Sequence, residues 1–424
     1  MSPALPPDLV ADLFRHRYGR MVAGLCRVLG PSRLDLAEDV VQEALLRALR
    51  TWPTDGVPAN PESWVFAVAR NAALDALRRQ QIGRQVEAEL QRWAAEPAPT
   101  ATASEPGSID DDTLRMLFLC SHPDVPADAR VPLLLKTVCG LGVPAIARAL
   151  LQKEATIAQR LVRAKAKLQG GVPFEMPPPA ELPARLELVQ SALYLMFNEG
   201  YRAHAGPELL RSDLVHEAVR LCALLLEVPA LRTPGGHALL ALMLLLGARS
   251  PARVDAAGEL VPLAQQDRTL WDRRWLGCGF HHLQRSIGGT QLTTYHCEAA
   301  IASVHAAAPD YAHTDWQRIS TEYDRLLALA PSPVVQLNRA VAVGKLHGAA
   351  AGLQALAGIR EARALDDYFL LGAVTAQFHW ELGDHAAAVA ALRQTLSQSC
   401  SEPERRLLQQ RLLACERGER APDW

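Results

Sequence analysis

Apolar residues recur every three to four positions along most of the chain, the spacing of one buried helical stripe. No run of alternating β-branched residues of the kind that forms strands interrupts this pattern. The sequence therefore predicts an all-α protein. In the first clear helix, over 37–50, the predicted buried stripe consists of Val40, Val41, Ala44, Leu45, Ala48 and Leu49.

Two neighbouring helices near the N-terminus differ in their polar faces. The helix AEDVVQEALLRAL carries Asp39, Gln42 and Glu43 outside its apolar stripe, and an acidic face suits a basic protein partner. The next helix, which begins at Pro61, carries mixed side chains on one face: Trp64, Asn71, Asp75 and Arg78. Aromatic rings beside arginines suit unstacked bases and phosphates. A solvated acidic face and a tryptophan packed under the preceding loop remain the structural alternatives.

Charge is distributed unevenly over the 424 residues, whose formal net charge is −2. Residues 1–82 carry 10 basic and 9 acidic side chains, and residues 83–112 carry 2 and 7. Residues 113–172 carry 9 and 3, a net of +6. Such a compact basic segment is what contacts with phosphates need, although the whole chain is slightly acidic.

Composition places the domain boundaries. Residues 95–112 are rich in Pro, Ala, Ser, Thr and acids, which predicts a flexible acidic linker, and the prolines of 173–183 predict a stiff spacer. The predicted domains are therefore 1–94, 113–172 and 184–424. No apolar run approaches 20 residues, the N-terminus lacks a signal-peptide layout, and the eight cysteines form no CxxC pair. We expect a cytoplasmic protein with reduced thiols and no membrane partner.

The basic segment contains two predicted helices with helix-turn-helix spacing, over 144–150 and 154–168. The outer face of the second helix consists of Thr156, Gln159, Arg160, Arg163 and Lys167. Such a helix can place side chains against base edges and phosphates in the major groove of DNA. Many helical hairpins share this spacing, and the turn lacks the glycine often found there, so the pattern alone leaves DNA binding open.

The motif AEDVVQEALLRAL followed by WVFAVARNAALDALRRQ resembles region 2 of sigma factors, the promoter-recognition subunits of bacterial RNA polymerase. The resemblance is to the extracytoplasmic-function group. It implies that the first helix docks on the β′ clamp of core polymerase through Asp39, Gln42 and Glu43. It also implies that the second helix, with the loop 52–60, reads and melts the −10 promoter element. That role would fall on Trp64, Arg70, Asn71, Asp75, Arg78 and Arg79.

The segment EATIAQRLVRAKAKL resembles the recognition helix of sigma region 4, which binds the −35 element. The resemblance assigns −35 binding to Thr156, Gln159, Arg160, Arg163 and Lys167. The upstream segment LRMLFLCSHPDVPADARVPLLL and the later YLMFNEGY resemble a subgroup with a long C-terminal extension. In that subgroup the extension is the regulatory element. Region 3 has no candidate here.

The segment 184–424 reads as successive helices, among them 185–197, 214–226, 237–246 and 290–307. Two stretches resemble tetratricopeptide (TPR) units: Tyr323, Leu326, Leu327 and Pro331, and then Leu382, Gly383, Ala388, Leu392 and Leu396. A shift of 36 residues aligns Leu356 with Leu392, near the usual period of 34. We therefore predict a TPR-like array of helical hairpins, whose concave surface would bind a protein or another ligand.

One cluster of residue types could suggest a metal enzyme: Cys278, His281, His282, His296 and Cys297. Cys-x-x-His-His is not an established zinc spacing, and no nearby acid stands out as a general base. We expect no metal, no cofactor and no catalytic residue.

The favoured hypothesis is an alternative sigma factor that binds core RNA polymerase and promoter DNA and leaves the chemistry to the polymerase. Two alternatives remain open. One is a helix-turn-helix regulator with a TPR-like sensory domain, and the other is a TPR-type scaffold. The paired acidic and aromatic–arginine helices argue against both, because neither protein needs them.

Overall fold

The computed structural model describes residues 6–79, 111–150, 152–202, 210–289, 291–361, 365–366, 368–398 and 400–423. Within these ranges the chain forms eighteen α-helices and no strand, apart from one isolated bridge between Val254 and Leu260. The predicted all-α class is confirmed. None of the described helices is long and apolar enough to span a bilayer.

One compact unit comprises residues 1–199 and 216–231, and a second comprises 200–215 and 232–424. The first unit contains α1 (Pro6–Leu29), α2 (Leu34–Asp55), α3 (Pro61–Arg79), α4 (Asp111–Cys120), α5 (Ala127–Thr137), α6 (Val143–Ala149) and α7 (Glu154–Leu168). The helices α8 (Leu182–Tyr201) and α9 (Ser212–Glu227) contribute to both units.

The helix α2 is longer than its predicted range. Its stripe is buried as expected except at Leu49, which is exposed. The helix continues past residue 50 to Asp55 and ends where Gly56 adopts a φ of 85°, a conformation that glycine adopts without steric cost. Trp52, predicted to begin the loop, is therefore buried in the last turn of α2, and the connection to α3 is only residues 56–60.

The two helices predicted in the basic segment are α6 and α7, within one residue of their predicted ends. Their facing apolar residues are buried: Ile146 and Ala147 on α6, and Ile157, Leu161, Ala164 and Leu168 on α7. The predicted linker 95–112 lies outside the described residues except for its last two, which are helical and begin α4.

The second unit contains nine further helices: α10 (Pro234–Gly247), α11 (Arg273–Ser286), α12 (Thr294–Ala307), α13 (Trp316–Leu329), α14 (Pro333–His347), α15 (Ala349–Glu361), α16 (Phe369–Glu381), α17 (His385–Leu396) and α18 (Glu402–Glu416). The apolar α10 is buried along nearly its whole length against α11 and α12. From α13 onward each helix packs on the next one in the chain.

A regular period runs through the last five helices. Gly348, Gly383 and Gly418 follow the ends of α14, α16 and α18, each 35 residues from the next, and all have positive φ. Leu356 and Leu392, aligned by the 36-residue shift, are both buried. The periodic helical array is thus present, whereas its likeness to TPR units stays a prediction.

Candidate functional site

An acidic and apolar surface runs along α2. Asp39, Gln42 and Glu43 are all exposed on it. Next to them Leu46 is 52% exposed and Leu49 is 38% exposed. Exposed leucines beside acidic groups are typical of a protein-binding surface. Leu46 was missed by the sequence interpretation, although its position three residues after Glu43 could have placed it on this face.

The ring of Trp64 on α3 is held by a second tryptophan. It is half-buried and packs edge-on against Trp52, with ring centroids 5.5 Å apart and planes at 63°. Asn60 fixes the start of α3, because its side-chain oxygen accepts from the Ser63 backbone N–H at 3.1 Å. The ring is therefore partly packed under the preceding segment, as the structural alternative proposed, and partly accessible.

The other residues of α3 that were predicted to bind the −10 element do not all lie on one side of the helix. Asn71, Asp75 and Arg78 are exposed on the same side as Trp64, and Asp75 pairs with Arg78 at 3.6 Å. Arg70 is half-buried and lies about a third of a turn from Trp64, given 100° per residue. The side chain of Arg79 lies outside the described residues.

The outer face of α7 is cationic but not wholly unpaired. Gln159, Arg163 and Lys167 are exposed, whereas Thr156 and Arg160 are half-buried. Asp128 on α5 binds both arginines. Its Oδ2 lies 3.0 Å from Arg160 Nε and 2.9 Å from Arg163 Nη2. A phosphate bound at this face would compete with Asp128 for the two guanidinium groups.

A contact that the sequence did not predict joins α7 to α2. Lys165 Nζ lies 2.7 Å from Glu38 Oε2 and 2.6 Å from Asp35 Oδ1. Glu38 is only 3% exposed and also accepts a hydrogen bond from Thr137 Oγ1 at 3.2 Å. Burial opposes the charge on Lys165, but the neighbouring carboxylates outweigh it and raise its pKa. Glu38 lies between apolar stripe positions of α2, which was the available signal for a buried partner.

Backbone packing strengthens the same junction. A Cβ on Gly19 of α1 would clash with the carbonyl oxygen of Val138, which directly follows α5. Arg27 Nε of α1 also lies 3.1 Å from Asp112 Oδ2 of α4. Asp112, predicted as part of a flexible linker, is therefore a helical residue in an ion pair. The α1–α3 segment and the α4–α7 segment pack together in the first unit.

The candidate zinc residues have separate roles. His282 stacks on His237, with Nδ1 atoms 2.9 Å apart, and burial together with His237 and other cationic neighbours lowers the pKa of His282 to about 4. His296 instead accepts from the Thr293 backbone N–H at the start of α12. Cys278 is exposed and Cys297 is buried. Among the described residues, no three His, Cys, Asp or Glu side chains are grouped to hold a metal ion.

Comparison with known proteins gives two family matches. Residues 14–82 match sigma-70 region 2, a range that includes α2 and α3 with their polar faces. Residues 185–287 match a family of unknown function (DUF6596). No solved structure matches the chain.

The chain therefore contains a segment that is similar to sigma-70 region 2, and the exposed faces of α2 and α3 lie within it. A relative extends over most of its length. The chain is 39% identical over 375 residues to the uncharacterized protein R00370 of Rhizobium meliloti (strain 1021), covering 88% of each protein. It belongs to the same family as that protein.

Proposed function

We propose that this protein is an alternative sigma factor of the extracytoplasmic-function group. It binds core RNA polymerase, directs it to specific promoters and helps to melt the −10 element. The observation that carries the proposal is the pair of helix faces inside the region 2 match. One is the acidic face of α2 bordered by leucines, and the other is the face of α3 with its partly accessible tryptophan.

On α2, Asp39, Gln42 and Glu43 would meet basic residues of the β′ clamp, and Leu46 and Leu49 would lose their exposed apolar surface on docking. Because charge at the rim of an interface mainly speeds association, burial of the two leucines would supply more of the affinity.

On α3, an unstacked base of the −10 element would stack on the accessible part of Trp64, which Trp52 holds in place. Arg70, Asn71, Asp75, Arg78 and Arg79 complete the proposed −10 surface. A pre-positioned ring lowers the entropic cost of capturing the base.

The proposed −35 surface consists of Thr156, Gln159, Arg160, Arg163 and Lys167 on α7. Its exposed side chains and the net charge of +6 over 113–172 support a helix-turn-helix role in the major groove. The C-terminal extension is proposed to be regulatory, and the catalytic chemistry belongs to the polymerase.

Run-off transcription with purified core polymerase and a genomic promoter library tests the proposal. We expect promoter-specific transcripts with the intact chain and at least a tenfold loss with Trp64→Ala, whereas Trp64→Phe retains most activity. Charge removal at Arg393, an exposed residue of α17, is the control. Operator binding without core polymerase would support the helix-turn-helix regulator instead. The absence of both activities in a folded chain would leave the scaffold alternative.

A further inference from the structure

One apolar side chain on the outer face of α7 is largely uncovered. Val162 is 69% exposed. One turn before and one turn after it stand Ala158 and Ala166, which are exposed as well. An alanine reaches no further than its Cβ atom, so the two methyl groups of Val162 project beyond both neighbours. A purely solvated helix face gains nothing from a valine, because β-branched residues have a lower helix propensity than alanine.

Val162 lies among the residues of the proposed −35 surface. Counted from Ala155, Gln159 is position i+4 and Val162 is position i+7, and Ala158 at i+3 lies on the same helix face. All four residues are exposed. The base-reading side chains of a recognition helix recur at this spacing. Val162 therefore belongs to the part of α7 that would face the base edges, although it was not among the predicted −35 residues.

Cationic side chains border the same face. Arg163, which is 56% exposed, directly follows Val162, and Lys167 is exposed one turn further along. An apolar centre with cations at its edge fits the major groove of DNA, where phosphates line the edges and base pairs form the floor. The net charge of +6 over residues 113–172 also favours DNA as the partner of this face.

The chemistry of a valine side chain selects among the base pairs. It has no hydrogen-bond donor or acceptor, so its favourable partner in the major groove is the C5-methyl group of thymine. The amide of Gln159 can instead bond adenine at N6 and N7. Residues three apart on a helix have Cβ atoms about 5–6 Å apart, and successive base pairs are about 3.4 Å apart. The two contacts would therefore fall within about two base pairs of each other.

We infer that Val162 is a specificity-determining residue of the −35 surface and selects a thymine through its C5-methyl group, close to the base pair read by Gln159. The inference rests on the proposed −35 role of α7 and names the base that this helix prefers. Burial of one methyl group changes an affinity by about fourfold.

The test uses the full chain with core polymerase and promoter duplexes in which the −35 segment is randomised. Bound duplexes are sequenced, and each thymine of the enriched −35 sequence is then replaced singly by uracil, which lacks only the C5-methyl group. We expect a thymine at one fixed position, where uracil should weaken binding about fourfold in a competition assay.

The variant Val162→Ala connects that methyl group to this side chain. It should lose the same factor of about four on the thymine duplex, and uracil should then have no further effect. The slope of log affinity against log salt should stay unchanged, because no phosphate contact is lost. Val334→Ala, at a position 36% exposed near the start of α14, is the matched control and should retain the full effect of uracil.

The outcomes separate this inference from the proposed function. If a −35 sequence is enriched but uracil weakens binding at none of its thymines, the inference is wrong and the −35 role of α7 stands. If Val162→Ala changes the affinity for thymine and uracil duplexes by the same factor, the methyl group is not its partner, and the inference is also wrong. If no sequence is enriched, the −35 role fails and the inference fails with it.

Discussion

Lys165 of α7 and Glu38 of α2 form an ion pair with Nζ and Oε2 2.7 Å apart, although 127 residues separate them in the chain. Glu38 is buried and Lys165 is half-buried. The pair therefore joins the region 2 match to the proposed −35 helix through a contact largely removed from water.

We expect Lys165→Ala to lower the free energy of unfolding of the first unit by about 3 kcal/mol, since removing one partner leaves a buried carboxylate unpaired. Combining it with Glu38→Gln should recover much of that loss, because the buried carboxylate is then replaced by a neutral amide, and the remaining acid, Asp35, is 51% exposed. Urea unfolding followed by circular dichroism measures both effects. Lys136→Ala on α5 is the matched control. The single variant Glu38→Gln completes the comparison: if the losses of the two single variants simply add in the double variant, the pair is not coupled.

Asp128 should limit the affinity of the cationic face of α7 for DNA. Because it pairs with Arg160 and Arg163, Asp128→Ala should expose both guanidinium groups and tighten binding to duplex DNA several-fold at low salt. Arg163→Ala should weaken binding and reduce the slope of log affinity against log salt by about 1. Fluorescence anisotropy at several salt concentrations measures both. An unchanged slope for Arg163→Ala would argue against a phosphate contact there.

The charged and the apolar residues on the surface of α2 should affect polymerase binding in different ways. Glu43→Lys should slow association with core polymerase and weaken the complex at least tenfold, because it places a cation opposite a basic partner. Leu46→Ala should instead speed dissociation, since it removes exposed apolar area. Surface plasmon resonance distinguishes the two. Glu187→Lys, at an exposed position on α8, is the control. Normal binding by both variants would place the polymerase contact elsewhere.

Helical periodicity was enough to predict the all-α class, the ends of α6 and α7, and the exposed face of α2. It could not predict the end of α2, because Pro53 lies inside the last turn while Gly56 ends the helix. The pairing of Lys165 with Glu38 was also out of reach, since contacts distant in sequence depend on tertiary packing. A charged residue within an apolar stripe, as at Glu38, signals only that some partner exists.

The position of segment 419–423 also depends on tertiary packing and could not be predicted from the sequence. Its sequence ERAPD is typical of a loop, and only the packed array shows that it lines a polar cavity together with the turns at Gly348, Gly383 and Gly418. The observed spacing of 35 residues is close to the predicted repeat of 36. That the three glycine turns line the same cavity could be seen only in the packed array.

His305 makes the stability of the second unit depend on pH. Burial, reinforced by Arg249 and Arg268, lowers the pKa of His305 from its ordinary 6.5 to about 3. Between these values the unfolded chain binds more protons than the folded chain, so stability present above pH 6.5 is lost as the pH falls. At pH 5 the loss from this group is about 2 kcal/mol.

Replacing His305 by leucine should remove that part of the pH dependence, because leucine cannot be protonated. Urea unfolding of the second unit at pH 7.5 and pH 5.0 measures the difference. His347→Gln, at an exposed position at the end of α14, should retain the pH dependence of the unaltered protein. If His305→Leu loses as much stability between the two pH values as the unaltered protein does, His305 is not the titrating group. The pH dependence would then have to come from other groups of the unit, among which His282 also has a lowered pKa.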